Sequence, residues 1–230
     1  MKTVVITGGS MGIGEALVKR FLKEKDYRIL SLDIVDPASK LEGVIYRKVD
    51  IRSPEEVQKA LEGALSIDIL INNAAMQFIR PLREQTQQEI ESVLNTNILG
   101  TINITRAALP KLAGGLILNI GSVHSRVPRK NKIPYDISKA ALRVLTEELA
   151  LEEENRNIRV NCVEFGAVKT PMNNDFINKE EAKQAVAKQV IDHLLTSEEA
   201  ADIIYELTKD KYKYMNGSTL VYDCGRTIKG

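Results

Sequence analysis

Short apolar runs alternate with longer amphipathic stretches along most of the chain. "TVVIT" (3–7), "RILSLDI" (28–34), "VIYRKVD" (44–50), "IDILINNAA" (67–75), "GLILNIGS" (115–122), "IRVNCVE" (158–164) and "STLVYD" (218–223) each read as a strand. Between them, "IGEALVKRFLKEK" (13–25) reads as a helix, and "SPEEVQKALEGA" (53–64) starts one with Ser53 as N-cap and Pro54 at the first helical position. Further helices are expected from Gln87 to Leu112, from Pro134 to Glu154 and from Ser197 to Lys209. The strands are continuous apolar runs rather than alternating ones, the pattern of a parallel sheet covered on both faces. The βαβαβ rhythm predicts a doubly wound, Rossmann-type α/β fold of about seven strands with helices on both faces, in a single domain. The least regular stretch, 171–195, contains Met172, Asn173, Asn174 and Phe176 and is the expected substrate flap.

Composition narrows the class. With 43% hydrophobic and 27% charged residues and a net charge of +1, the 230-residue chain is expected to be soluble, without a global pull toward nucleic acid or membrane. Cys162 and Cys224 lie far apart, no CxxC occurs, and there are two histidines, so no metal site is expected. The opening "MKTVVITGG" is too short and too soon broken by glycine for a signal peptide or a span, which points to the cytoplasm.

Chemistry enters at the first turn. "VVITGGSMGIGEAL" places Gly8, Gly12 and Gly14 between the first strand and the first helix, where a tight turn and a helix N-terminus can cradle a pyrophosphate. The spacing is GxxxGxG rather than GxGxxG. Asp33 ends the second strand 19 residues after Gly14, where a carboxylate can accept hydrogen bonds from adenosine ribose hydroxyls and repel a 2′-phosphate. Its neighbours Met11 and Ile34 are neutral. NAD is therefore expected over NADP.

With these motifs the sequence resembles the short-chain dehydrogenase/reductase family over nearly its whole length. "TGGSMGIG" is similar to the family's TGxxxGxG turn, bringing Ser10 and Ile13 into the cofactor cradle. Asp50 and Ile51 match the pair that contacts adenine, and "NNAA" (72–75) matches NNAG, with Asn73, Ala74 and Ala75 at the cofactor. "NTNILG" supplies Asn97, "GLILNIGS" supplies Ser122, and "PYDISKAAL" supplies YxxxK as Tyr135 and Lys139. "EFGAVKT" (164–170) matches the stretch along nicotinamide and pyrophosphate, placing Gly166, Val168 and Thr170 there. Phe165 stands where the family usually has proline, and Cys224-Gly225 where it usually has two glycines.

The resemblance implies a nicotinamide-dependent oxidoreductase with Asn97, Ser122, Tyr135 and Lys139 as catalytic residues. Tyr135 is the expected proton carrier, with its pKa lowered by Lys139. An ammonium about 4 Å away contributes on the order of 4 kcal/mol at an effective dielectric near 20, about what a fall of three pKa units requires. Lys139 would also bind the nicotinamide ribose, Ser122 would donate to the substrate oxygen, and Asn97 would hold a relay water. Ser122, Tyr135 and His124 are the expected substrate contacts. The long helices imply a homotetramer, or at least a dimer.

The leading expectation is an NAD(H)-dependent dehydrogenase of a small secondary alcohol, polyol or sugar. One alternative is a 3-oxoacyl-carrier-protein reductase, favoured by the basic stretch Arg126, Arg129, Lys130 and Lys132 and opposed by Asp33. Another is an NAD-binding regulatory protein with little turnover. A second tyrosine–lysine pair, Tyr205 and Lys209, has the same offset as Tyr135 and Lys139. There Ala200, Ile203, Ile204 and Leu207 form the apolar stripe, so Tyr205 and Lys209 are expected to face solvent.

Overall fold

A computed structural model of the protein describes residues 1–112, 114–176 and 179–229. The chain runs β1 (Lys2–Thr7), α1 (Gly12–Leu22), β2 (Tyr27–Asp33), β3 (Val44–Lys48), α2 (Pro54–Leu61), β4 (Ile69–Asn72), α3 (Gln87–Leu94) and α4 (Thr101–Ala108). It continues through β5 (Leu116–Ser122), α5 (Ile133–Glu152), β6 (Arg159–Phe165), β7 (Val168–Lys169), α6 (Lys179–Ala187), β8 (Leu195–Thr196), α7 (Ser197–Glu206) and β9 (Thr219–Tyr222). Seven strands form one sheet in the order β3-β2-β1-β4-β5-β6-β9, every pairing parallel. The order reverses between β1 and β4, which opens a crevice at the carboxyl ends of the strands.

Side-chain alternation explains the continuous apolar runs. On β1, Val4 and Ile6 pack with Leu17 and Phe21 of α1 and Ile204 of α7. Val5, pointing the other way, packs with Val57 of α2 and Ile104 of α4. Both phases of the strand are thus buried, one under each helical layer. Ser53 caps α2 by accepting from Glu56 N at 3.2 Å, with Pro54 beginning the helix. Thr86 and Thr196 start α3 and α7 through reciprocal capping boxes with Glu89 and Glu199.

The helix expected from Gln87 to Leu112 is interrupted. Asn95–Gly100 form a π-helical turn between α3 and α4, and the stretch ends in a 3-10 turn at Leu109–Lys111. The extra residue per turn rotates Asn97 inward, where it is fully buried. The expected flap begins and ends at a second, two-stranded sheet: Val168 pairs with Leu195 and Lys169 with Thr196. Within it, residues 177 and 178 and the side chains of Asn174 and Phe176 lie outside the described residues.

The second tyrosine–lysine pair is a correction. Tyr205 is 1% exposed rather than solvent-facing. The buried face of α7 is centred on Ala200, Ala201, Ile204 and Tyr205, about one residue round from the expected stripe, because α7 packs on α1 as well as on the sheet. The Tyr205 ring stands edge-on to Phe21 at 5.2 Å, and the Arg20 guanidinium lies 3.6 Å from its centroid. Its hydroxyl accepts a hydrogen bond from Lys209 Nζ at the rim. A tyrosine can bury its ring while its hydroxyl finds a partner at the edge, which hydropathy alone misses. Tyr205→Phe should therefore lower stability by about 1–2 kcal/mol in urea unfolding while leaving turnover per folded molecule unchanged.

Candidate active site

The crevice between the β1 and β4 ends is closed by direct hydrogen bonds between the two loops. Thr7 Oγ1 accepts from the backbone N–H groups of Asn73 and Ala74, both at 3.0 Å. Asn73 Nδ2 returns to the carbonyls of Thr7 and Gly8, also at 3.0 Å. Such close approach requires glycine at position 8. Its φ is +67°, and a Cβ there would lie 2.8 Å from the Ala74 Cα. Helix α1 then begins with Met11 as an N-cap that makes no side-chain capping bond, which leaves its first-turn N–H groups without a side-chain acceptor.

These groups open onto a cavity of about 430 Å³. Gly8, Met11, Gly12, Ile13, Asp33, Ile34, Asp50, Ile51, Asn73, Ala74, Ala75, Gly166, Val168 and Thr170 line it together with Ser122, Tyr135 and Lys139. Of the other residues expected at the site, Ser10, Gly14, Asn97 and His124 do not line it. Ser10 acts from behind, donating N–H to Asp33 Oδ2 at 2.9 Å and its hydroxyl to Val35 O at 2.8 Å. The other Asp33 oxygen accepts from Val35 N at 3.2 Å. A donor-rich helix N-terminus between a carboxylate-bearing strand end and a Ser/Tyr/Lys group fits a dinucleotide's pyrophosphate, ribose and reacting ring.

Arg52 also lines this cavity, and the sequence reading overlooked it. Its guanidinium grips Asp50, with Nε 2.9 Å from both carboxylate oxygens and a terminal nitrogen 2.6 Å from Oδ2. That pairing holds the Asp50 carboxyl below its usual range and raises Arg52. Its position two residues after Asp50 was the available signal. Met76, Phe165, Pro171 and Met172 supply further apolar wall.

At the other end, Ser122 closes β5 with Oγ accepting from His124 N at 3.2 Å. Lys139, buried on α5, donates from Nζ to Ile120 O at 2.7 Å, with that nitrogen 5.6 Å from the Tyr135 ring centroid. Burial pushes the Lys139 ammonium down to about 8. It pushes the Tyr135 phenol up to about 12, opposed by the Ser122 hydrogen bond. Before a cofactor binds, burial therefore favours the protonated phenol.

The Asn97 side chain spends both N–H groups within the protein, on Met76 O at 3.0 Å and Ser138 Oγ at 2.9 Å. Its Oδ1 accepts from Met76 N at 2.8 Å. Asn97 thus fastens the loop after β4 to α5. His124 turns its Nδ1 toward Val127 O at 3.1 Å.

Comparison with known proteins gives this site relatives. A family model for short chain dehydrogenase matches residues 2–181. The chain is 30% identical to glucose 1-dehydrogenase 2 of Bacillus subtilis, over 99% of this chain and 95% of that protein. It is also 30% identical to 3beta-hydroxysteroid dehydrogenase 1 of Eggerthella lenta, over 99% and 94% respectively. The structure of 3-ketoacyl-(acyl-carrier-protein) reductase from Brucella melitensis complexed with NADH superposes with a TM-score of 0.90 at 25% identity, covering 99% of this chain and 98% of that one.

Burial pushes His124 down to about 4, with the Lys132, Arg129 and Arg226 charges adding to the effect. An unfolded histidine titrates near 6.5, so this contribution to stability is present above about pH 6.5 and is lost as pH falls toward about 4. His124→Gln should reduce the stability difference between about pH 7 and pH 4.5 by up to about 3 kcal/mol. Urea unfolding of both proteins at the two pH values checks this, and equal differences would refute it.

Proposed function

Because the chain belongs to the short-chain dehydrogenase family and is an oxidoreductase acting on a CH–OH group, we propose that it interconverts a small secondary alcohol, polyol or sugar with its carbonyl form, using NAD in preference to NADP. The observation that carries this reading is one cavity that holds Asp33 at one end and Ser122, Tyr135 and Lys139 at the other. Asp33 would meet the adenosine ribose hydroxyls and repel a 2′-phosphate. Arg52, the nearby cation that could have reversed this, is spent on Asp50. Uncapped α1 N–H groups would take the pyrophosphate, and Lys139 the second ribose.

A bound nicotinamide supplies the hydride acceptor or donor and, when oxidised, a positive charge beside the site. Ser122 donates to the substrate oxygen, and Tyr135 accepts the hydroxyl proton in oxidation or returns it in reduction. Burial raises the Tyr135 phenol, so the positive charge of an oxidised nicotinamide, added to that of Lys139, would favour the deprotonated form that accepts the proton.

The likeness to the Brucella reductase favours a second reading, reduction of a 3-oxoacyl thioester. A panel of aldoses, polyols, hydroxysteroids and an acetoacetyl thioester, each with NAD(H) and NADP(H), separates the two. Tyr135→Phe should lower kcat by about 10²- to 10⁴-fold with NAD affinity nearly unchanged, and undiminished turnover would refute the mechanism. Calorimetry should give tighter binding of NAD than of NADP; the reverse order would remove the role given to Asp33. Self-association is part of the proposal. Ile137 and Val144 on α5 are 56% and 47% exposed and Ile102 on α4 is 36% exposed, a surplus of apolar surface that a second copy would cover. Sedimentation should give a dimer or tetramer, and Val144→Lys should shift it toward the monomer.

A further inference from the structure

Glu164 is a carboxylate with no exposed surface, one residue before the Phe165-Gly166 wall of the cavity. In the sheet it lies opposite Gly121, and Phe165 lies opposite Ser122. Gly121 makes the room it needs, since a Cβ there would lie 2.9 Å from Glu164 Cγ. Both carboxylate oxygens reach into the turn that follows Ser122. Ser125 Oγ donates to Oε1 and Arg126 Nε to Oε2, each at 2.5 Å. The turn is closed by Arg126 N and Val127 N donating to Val123 O at 3.0 and 2.9 Å. Within it, His124 N donates to Ser122 Oγ. That bond occupies one lone pair of the hydroxyl and leaves its proton to be directed toward Tyr135 and the reacting oxygen.

A buried charge is retained at a net cost unless it is paired and fully hydrogen-bonded. Here the pairing joins the two walls of the reacting end, β6 and the turn after β5. We propose that Glu164 is a positioning residue for Ser122. By holding Ser125 and Arg126, it fixes the turn whose His124 amide directs the Ser122 hydroxyl toward the reacting oxygen. The proposal rests on the role given to Ser122 above and adds a second layer to it.

The test uses the full-length enzyme, NAD and the most active alcohol of the panel. Glu164→Gln should lower kcat by about 10- to 100-fold, with the calorimetric Kd for NAD within about twofold of wild type. In a Ser122→Ala background the same substitution should lower kcat no further, because a positioning effect has nothing left to position. Arg126→Lys should retain more kcat than Arg126→Met. If Glu164→Gln does not fold, Ser125→Ala keeps the ion pair and should show a smaller kcat loss that also vanishes with Ser122→Ala. A kcat within twofold of wild type, or a loss that persists undiminished in the Ser122→Ala background, overturns the proposal. Tyr135→Phe separates the two levels. If it is inactive while the Glu164 effect is independent of Ser122, only the positioning role falls. If it turns over normally, the catalytic assignment itself fails.

Discussion

Covering a parallel sheet on both faces leaves polar chemistry only at its ends, and the rest of the molecule follows from that constraint. Most of the apolar β1, β4, β5 and β6 side chains are consumed by the two cores, and Asn72, Asn119 and Asn161 are hydrogen-bonded inside the protein, so the residues that meet the cavity lie near the carboxyl ends, among them Gly8, Asn73, Ser122 and Gly166. The reversal of strand order between β1 and β4 gathers these ends around one crevice. Helix α1 enters that crevice without a capping side chain, and α5 delivers Tyr135 and Lys139 from the opposite side.

Inside the crevice, desolvation is the dominant electrostatic force. It raises Tyr135 and lowers Lys139, and beside the crevice it lowers His124, all toward uncharged forms. Where charges persist they are tied to partners, as Asp50 is to Arg52 and Glu164 to Arg126. A charge brought beside the partly buried phenol would act on it more strongly than in bulk water.

The order of strands and helices was legible because hydrophobic periodicity and capping residues are local signals. Ser53, Thr196 and the glycines of the first turn each act within a few residues of themselves. What stayed hidden depended on partners distant in sequence. Tyr205 looked like surface because α1, which buries its far side, lies about 180 residues earlier. The π-helical turn at Asn95–Gly100 has no local composition that distinguishes it from continuous helix. The Glu164–Arg126 pair bridges two separate motifs, so neither motif alone announces it. Arg52 reaches the cavity through its pairing with Asp50, which composition does not show.

The short β7–β8 pair has a consequence for how such an enzyme can change. It fastens both ends of the intervening segment, so that segment is a closed loop whose feet stand on Val168–Lys169 and Leu195–Thr196. Doubling the length of a loop with fixed ends costs only about 0.6 kcal/mol of closure entropy. The segment between these feet can therefore be lengthened or shortened at little entropic cost to the core. The opposite end of the cavity, where Thr7 and Asn73 are joined across the crevice, has no such freedom.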